Sequence, residues 1–147
     1  MNASGASDRM ESTRSRIDGR TIATRGGLAT VVSLVGNWLF LAIVLGADLV
    51  EPFDPVSVGP VTLLTVLGAV GATVVYWLLD RRSDDPDRLF IIVAAVVLIL
   101  SFVPDLALLE LDPEATISGV IALMIMHVIV AVGCVGLLTD RYSPIDR

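Results

Sequence analysis

Hydrophobic residues in this chain are gathered into four long stretches that contain almost no charge. The stretches are 26–47, 55–79, 89–109 and 115–139. Asp105 is the one charged residue inside them. Each stretch exceeds the roughly 18–20 residues that an α-helix needs to cross a ~30 Å hydrocarbon core. The pattern predicts four transmembrane helices, at about 26–48, 59–79, 89–109 and 116–138.

The composition favours a membrane protein over a soluble domain. Hydrophobic residues make up 54% of the 147 positions, and the mean hydropathy is +0.80. A soluble chain of this length has no interior large enough to hide four such helices. We therefore predict an all-α fold, an integral membrane four-helix bundle built from two helical hairpins, over residues 25–141. The polar residues 1–24 are predicted to form a disordered cytoplasmic tail, and 142–147 a short cytoplasmic tail.

Arginine supplies every basic side chain, and there is no lysine. Five arginines precede the first stretch, three lie between the second and third, and two follow the fourth. Their positions are 9, 14, 16, 20, 25, 81, 82, 88, 141 and 147. Because positive charge accumulates on the cytoplasmic side of a membrane protein, we expect both termini and the middle loop to be cytoplasmic. The predicted location is the cell membrane, with four passes.

Acidic residues dominate the two remaining loops, which carry net charges of −3 over 48–54 and −4 over 105–114. One interpretation is a rim that gathers cations around an external opening. The other is adaptation to high external salt, which screens dense carboxylates. The absence of lysine, a pI near 4.5 and the excess of Asp over Glu resemble the composition of proteins from extreme halophiles. We favour the second interpretation.

The two predicted hairpins resemble each other in sequence. GADLVEPFDP at 46–55 corresponds to VPDLALLELDP at 103–113, and LLDR at 78–81 corresponds to LLTDR at 137–141. The match pairs Asp48 with Asp105. These correspondences favour an internal 2+2 repeat over chance similarity between Asp-rich loops.

Three polar residues share one predicted depth near the middle of the membrane: Asn37, Ser101 and His127. An unpaired polar group is costly in hydrocarbon, so we expect all three to face the bundle interior. One hypothesis is a titratable transport site with Asp105 as its gateway on the outer side, since the ordinary pKa of histidine is about 6.5. The other, which we favour, is a structural hydrogen bond from neutral His127 to Asn37 or to a carbonyl that holds two helices together.

Neighbouring positions extend this interior face. Ala29 and Ser33 precede Asn37 at helical spacing, and helix 2 offers Thr62, Thr65 and Gly68 on a comparable face. Pro104 is expected to break or end helix 3, because proline lacks a backbone donor. Asp105 would then reach headgroups or water, as Asp48 does at the end of helix 1.

No motif for soluble enzyme chemistry is present. The chain has no phosphate-binding glycine loop, CxxC, HExxH or nucleophile elbow, so we predict no catalytic residue. One histidine and one cysteine on the same predicted helix do not supply a zinc site, so no metal and no cofactor is predicted. We expect no nucleic-acid partner.

Across about residues 25–141, the chain resembles a family of small four-helix prokaryotic membrane proteins, the domain of unknown function 6069. The resemblance rests on Asn37 in helix 1, on SFVPDL at 101–106 and on the pair Met126-His127. It implies the four-helix membrane architecture and supplies no mechanism.

Three functions remain open from the sequence. The favoured one is a non-enzymatic structural or interaction component of the membrane. The second is a small oligomeric transporter or channel that uses Asn37, Ser101, His127 and Asp105. The third is a cofactor- or lipid-binding subunit of a membrane enzyme. The expected partners are the lipid bilayer and either further copies of the chain or another membrane protein.

Overall fold

The structure, a computed structural model, describes residues 17–51 and 53–139, and these residues form four α-helices and no strand. The helices are α1 (Gly19–Gly46), α2 (Val58–Arg82), α3 (Pro86–Leu111) and α4 (Ile117–Leu138). All four are long and apolar enough to cross a membrane. The predicted fold class, an all-α bundle of four membrane-spanning helices, is confirmed.

Helix α1 begins at Gly19, seven residues before the predicted start. The prediction that residues 19–24 belong to a disordered tail is therefore wrong. Hydropathy marks the part of a helix that lies in hydrocarbon, whereas the helix itself continues wherever backbone hydrogen bonds do. The rest of the predicted tails, 1–16 and 142–147, lies outside the described residues.

The helices alternate in direction, which gives the bundle two distinct ends. The acidic end contains the loops 47–57 and 112–116. The basic end contains the start of α1, the loop 83–85 and the end of α4. One apolar cluster lies toward the acidic end and consists of Leu41, Val44, Val50, Phe53, Val56, Val61, Ala122, Leu123 and Met126. The second extends to the basic end and consists of Ile22, Ala29, Ala69, Tyr76, Phe90, Cys134 and Leu138.

Helix α1 packs against both α2 and α4, and α3 packs against α4. The interior stripe predicted on α1 is confirmed, since Ala29, Ser33 and Asn37 are all buried. Small residues let the backbones approach closely. A Cβ added to Gly133 of α4 would lie 2.6 Å from the Ser33 hydroxyl oxygen. Helices α2 and α3 pack against each other less closely, which leaves a cleft between them.

Polar contacts hold the basic end together. The Tyr76 hydroxyl of α2 donates to Asp87 Oδ1 of α3 at 2.7 Å, and the Tyr76 ring meets the Phe90 ring edge-on at 5.2 Å. Buried Arg25 donates from Nη1 to the Leu138 carbonyl at 3.4 Å. That carbonyl belongs to the last turn of α4, where backbone acceptors have no partner within the helix. At the basic end, a hydrogen bond therefore joins α2 to α3 and another joins α1 to α4.

Helix α3 continues through Pro104 to Leu111. The predicted bounds of this helix, 89–109, already include Pro104. Of the two expectations for Pro104, that it breaks or that it ends the helix, the second is wrong, because membrane helices tolerate proline where neighbouring groups satisfy the freed carbonyl. Asp48 does lie just beyond the end of α1, exposed and with a φ of 52°. Its proposed repeat mate Asp105 is instead buried inside α3. The internal repeat itself remains a prediction.

Candidate functional site

A cavity of about 480 Å³ lies between α2, α3 and α4. Its volume falls within the range of small-molecule sites. Glycine and alanine create the space, because they replace side chains that would otherwise fill it. The residues of this kind in the wall are Gly68, Gly71, Ala72, Ala94 and Ala131. A Cβ added to Gly71 would meet no atom within 4 Å.

The cavity opens sideways, between α2 and α3. Wall residues on both helices remain largely exposed, with Leu64 at 58%, Leu67 at 59% and Val97 at 57% of their full accessibility. In a chain whose helices cross a membrane, apolar residues exposed at mid-helix face lipid. The opening therefore leads into the bilayer, and hydrocarbon can enter the cleft through it.

Asn37 contributes to the cavity wall from α1. Its amide Nδ2 donates to the Thr65 hydroxyl of α2 at 2.8 Å. The amide oxygen Oδ1 is buried and has no hydrogen-bond donor among the described residues. The amide nitrogen of Asn37 therefore has a hydrogen-bond partner and the amide oxygen has none. A buried acceptor without a donor destabilises the folded protein unless another molecule supplies the donor.

His127 also lines the cavity, and its ring nitrogen Nδ1 has two oxygen neighbours. The Leu123 carbonyl, one turn earlier in α4, lies at 2.9 Å, and Asp105 Oδ2 of α3 lies at 3.1 Å. A carbonyl oxygen only accepts, so Nδ1 carries the hydrogen. In the neutral ring the other nitrogen, Nε2, is then an acceptor.

Asp105 is buried beside His127 rather than exposed to headgroups or water. The prediction that Asp105 only caps the outer end of its helix is wrong, because α3 continues past it and turns the carboxyl group toward α4. Only the Leu123 contact of Nδ1 has hydrogen-bond geometry, and Asp105 Oδ2 has no hydrogen-bond donor among the described residues. The contact between Asp105 and His127 is therefore mainly electrostatic.

Ser101 lies in the wall on α3, and its hydroxyl donates to the Leu98 carbonyl of its own helix at 2.7 Å. The structure thus places Asn37, Ser101 and His127 around one cavity, with Asp105 behind His127. The expected bond from His127 to Asn37 is replaced by separate pairs, since Asn37 donates to Thr65 and His127 donates to Leu123. His127 does contact a carbonyl, but it is that of Leu123 in its own helix, so this bond does not hold two helices together as the structural hypothesis expects.

The sequence matches the family of unknown function DUF6069 over residues 12–143, which is most of the chain. The protein belongs to this family. No curated protein and no solved structure shows significant similarity to it. The segments that carried the resemblance lie at or beside the cavity of this DUF6069 protein, since Asn37, Ser101, Met126 and His127 all line it.

Among the described residues, the cavity wall of this DUF6069 protein contains no arginine, aspartate or glutamate, and its titratable side chains are His127 and Cys134. Within 17–51 and 53–139, no three His, Cys, Asp or Glu side chains lie together in a way that would hold a metal ion. The wall is apolar apart from a few hydrogen-bonding groups, which is typical of sites for uncharged ligands.

Two contacts at this site were not predicted from the sequence. Thr65 was placed on the interior face of helix 2 without a partner, and its bond to Asn37 depends on how α1 and α2 are aligned lengthwise. Trp38, next to Asn37, donates from Nε1 to the Thr62 hydroxyl at 2.9 Å. Equal depth was the available signal for both pairs, because α1 and α2 run antiparallel from one loop.

Proposed function

We propose that this chain is a non-enzymatic membrane protein that binds a chain-bearing ligand taken from the bilayer into the cleft between α2 and α3. The observation that carries the proposal is the sideways opening, with exposed apolar residues on both rims and no charged residue in the part of the wall that the structure describes. A ligand dissolved in the bilayer reaches such a site without crossing water.

A purely structural role requires only that lipid chains of the bilayer fill the cleft, because the cleft is open to them on one side. The question that separates the two roles is whether one particular molecule occupies the cleft.

A variant that fills the cleft tests the proposal. Gly71→Phe places a ring where the structure has open space, and Gly27→Phe places the same ring on α1, where an added Cβ also meets nothing. Gly27 does not line the cavity. Both variants and the wild type would be purified in mild detergent, with folding checked by circular dichroism and elution profile.

Native mass spectrometry would then record the retained molecules. We expect about one chain-bearing molecule per protein in the wild type and in Gly27→Phe, and a loss of at least tenfold in Gly71→Phe. Absence of any retained molecule from the wild type would overturn the proposal. Equal retention in Gly71→Phe would overturn it as well.

A small transporter is the second candidate, and the contact between Asp105 and His127 favours it. Ionisable groups inside membrane helices often mark ion or proton pathways. In proteoliposomes containing a pH-sensitive dye, this candidate requires a proton flux that disappears in His127→Leu while the variant remains folded. An absence of flux in the wild type across a pH gradient would remove transport of protons from consideration.

We also propose that the protein lies in the cell membrane with its basic end in the cytoplasm. The described arginines, 20, 25, 81, 82 and 88, all lie at or near that end. In a Cys134→Ser background, a cysteine at Glu114 should react with an impermeant maleimide added to intact cells, and a cysteine at Ser83 should not. The reverse labelling would place the basic end outside.

A further inference from the structure

Resting on the proposed function, we infer that the ligand is a neutral lipid with a hydroxyl headgroup, and that this hydroxyl donates to the amide oxygen of Asn37. Asn37 is 2% exposed, it forms part of the cavity wall, and its Oδ1 has no donor among the described residues. Oδ1 is covered by protein atoms, so the Asn37 side chain turns toward the cleft as a ligand hydroxyl supplies the missing hydrogen. A ligand that only accepts hydrogen bonds leaves Oδ1 unsatisfied.

The hydrogen-bonding groups of the cleft are gathered in one half. Asn37, Thr65, Ser101 and His127 lie in the half toward the acidic end, among apolar wall residues. Beyond Thr65 the described wall of α2 is apolar as far as Val75, a length of about 15 Å at 1.5 Å per residue. The headgroup therefore lies beside Asn37, and the chain extends toward the basic end.

Charge excludes the common anionic lipids. No arginine within 17–51 and 53–139 lines the cleft, and the carboxylate of Asp105, which contacts the cavity residue His127, repels phosphate and carboxylate groups. Asn37 also lies nine residues from the end of α1, which is about 14 Å along the helix. Bringing a charged headgroup to that depth is costly without a paired charge.

His127 also favours a ligand that donates a hydrogen bond. Its Nδ1–H is engaged by the Leu123 carbonyl, so in the neutral ring the nitrogen that remains is an acceptor. Two acceptors, one on Asn37 and one on His127, thus belong to the polar half of the cleft. Long-chain alcohols and quinols both present the hydroxyl donors that this arrangement recognises.

A matched pair of probes tests the inference on the unmodified full-length chain. 1-Hexadecanol and its methyl ether share one chain and differ in the hydrogen that the hydroxyl donates. Both would be added at equal concentration to the delipidated protein in detergent, and native mass spectrometry would compare the two bound species. We expect the alcohol to be bound at least tenfold more tightly, because the ether leaves a buried acceptor without a donor.

Two variants connect this preference to Asn37. Asn37→Leu removes the acceptor and should abolish discrimination between alcohol and ether. Thr62→Val is the control, since Thr62 holds Trp38 and does not line the cleft, so discrimination should persist. If Asn37→Leu does not fold, the comparison of the two probes on the wild type still decides.

The other outcomes separate the two levels of the proposal. Equal binding of alcohol and ether would overturn the assignment of the headgroup and leave the ligand-binding function standing. Hexadecanoate is added as a third probe under the same conditions, and tighter binding of this anion would overturn the requirement for a neutral ligand. Failure of all three probes to bind the delipidated protein would overturn both levels.

Discussion

The Nδ1 atom of His127 lies 3.1 Å from the Asp105 carboxylate oxygen Oδ2, across the interface between α4 and α3. Both residues lie within membrane-spanning helices, and Asp105 is buried. Removing one member of such a pair leaves the other buried without its partner. The free energy lost in this way is larger than the net stabilisation that the pair provides. This asymmetry gives the first prediction.

We expect His127→Leu and Asp105→Leu each to lower the free energy of unfolding by about 1–3 kcal/mol. The double variant should lose less than the sum of the two, with a coupling of at least ~0.5 kcal/mol. Unfolding of each variant in mixed micelles of increasing denaturing detergent measures all four free energies. Simple additivity would show that the two side chains do not interact in the folded protein.

The second prediction concerns the hydrogen on the His127 ring. The Leu123 carbonyl lies 2.9 Å from Nδ1 and can only accept, so we expect the ring to carry a hydrogen on Nδ1 whether it is neutral or protonated. Solid-state NMR on protein with ¹⁵N-labelled histidine should show a hydrogen directly bonded to Nδ1. The chain contains one histidine, so the assignment is unambiguous. A neutral ring with its hydrogen on Nε2 alone would contradict the structure.

Hydropathy was sufficient to predict the four helices, because length and apolarity identify a membrane-spanning segment. Depth along those helices was sufficient to bring Asn37, Ser101 and His127 to one cavity. The sequence indicates Asp105 as a candidate gateway residue, but its burial beside His127 does not follow from the sequence, because an interfacial position is expected after Pro104 and α3 instead continues to Leu111. The cleft itself was not predictable from one sequence, because it depends on the unequal packing of α3 against α2 and α4.

The third prediction concerns adjacent glycines on α1. A Cβ on Gly26 would clash with both γ atoms of Thr73 on α2, so rotating Thr73 does not relieve the contact. Gly26→Ala should therefore lower the free energy of unfolding by about 1–3 kcal/mol. Gly27→Ala is the matched control, since its Cβ meets nothing within 4 Å and alanine favours the helix by up to ~1 kcal/mol. Equal effects in the same micelle titration would contradict the close approach of α1 and α2.

The fourth prediction concerns the attachment of α2 to α3 at the basic end. Tyr76→Phe keeps the ring against Phe90 and removes the hydroxyl that donates to buried Asp87. We expect a loss of about 1–3 kcal/mol in unfolding free energy, because a hydrogen bond to a charged group is lost. Tyr76→Leu, which also removes the ring contact, should lose more. Identical losses in the two variants would assign the whole effect to the hydroxyl.

The last prediction concerns the hydrogen bond from Asn37 to Thr65. Thr65→Val removes the hydroxyl that accepts from the Asn37 amide nitrogen Nδ2. The buried amide then loses this bond, and its oxygen Oδ1 still has no donor among the described residues. We therefore expect the free energy of unfolding to fall by about 1–3 kcal/mol. Replacing both residues, as Asn37→Leu with Thr65→Val, removes the polar groups together and should restore most of that loss. A double variant less stable than Thr65→Val would show that the amide has another partner in the folded protein. In that case Asn37 would not be free to receive a ligand hydroxyl, so the same measurement also tests the basis of the inferred headgroup.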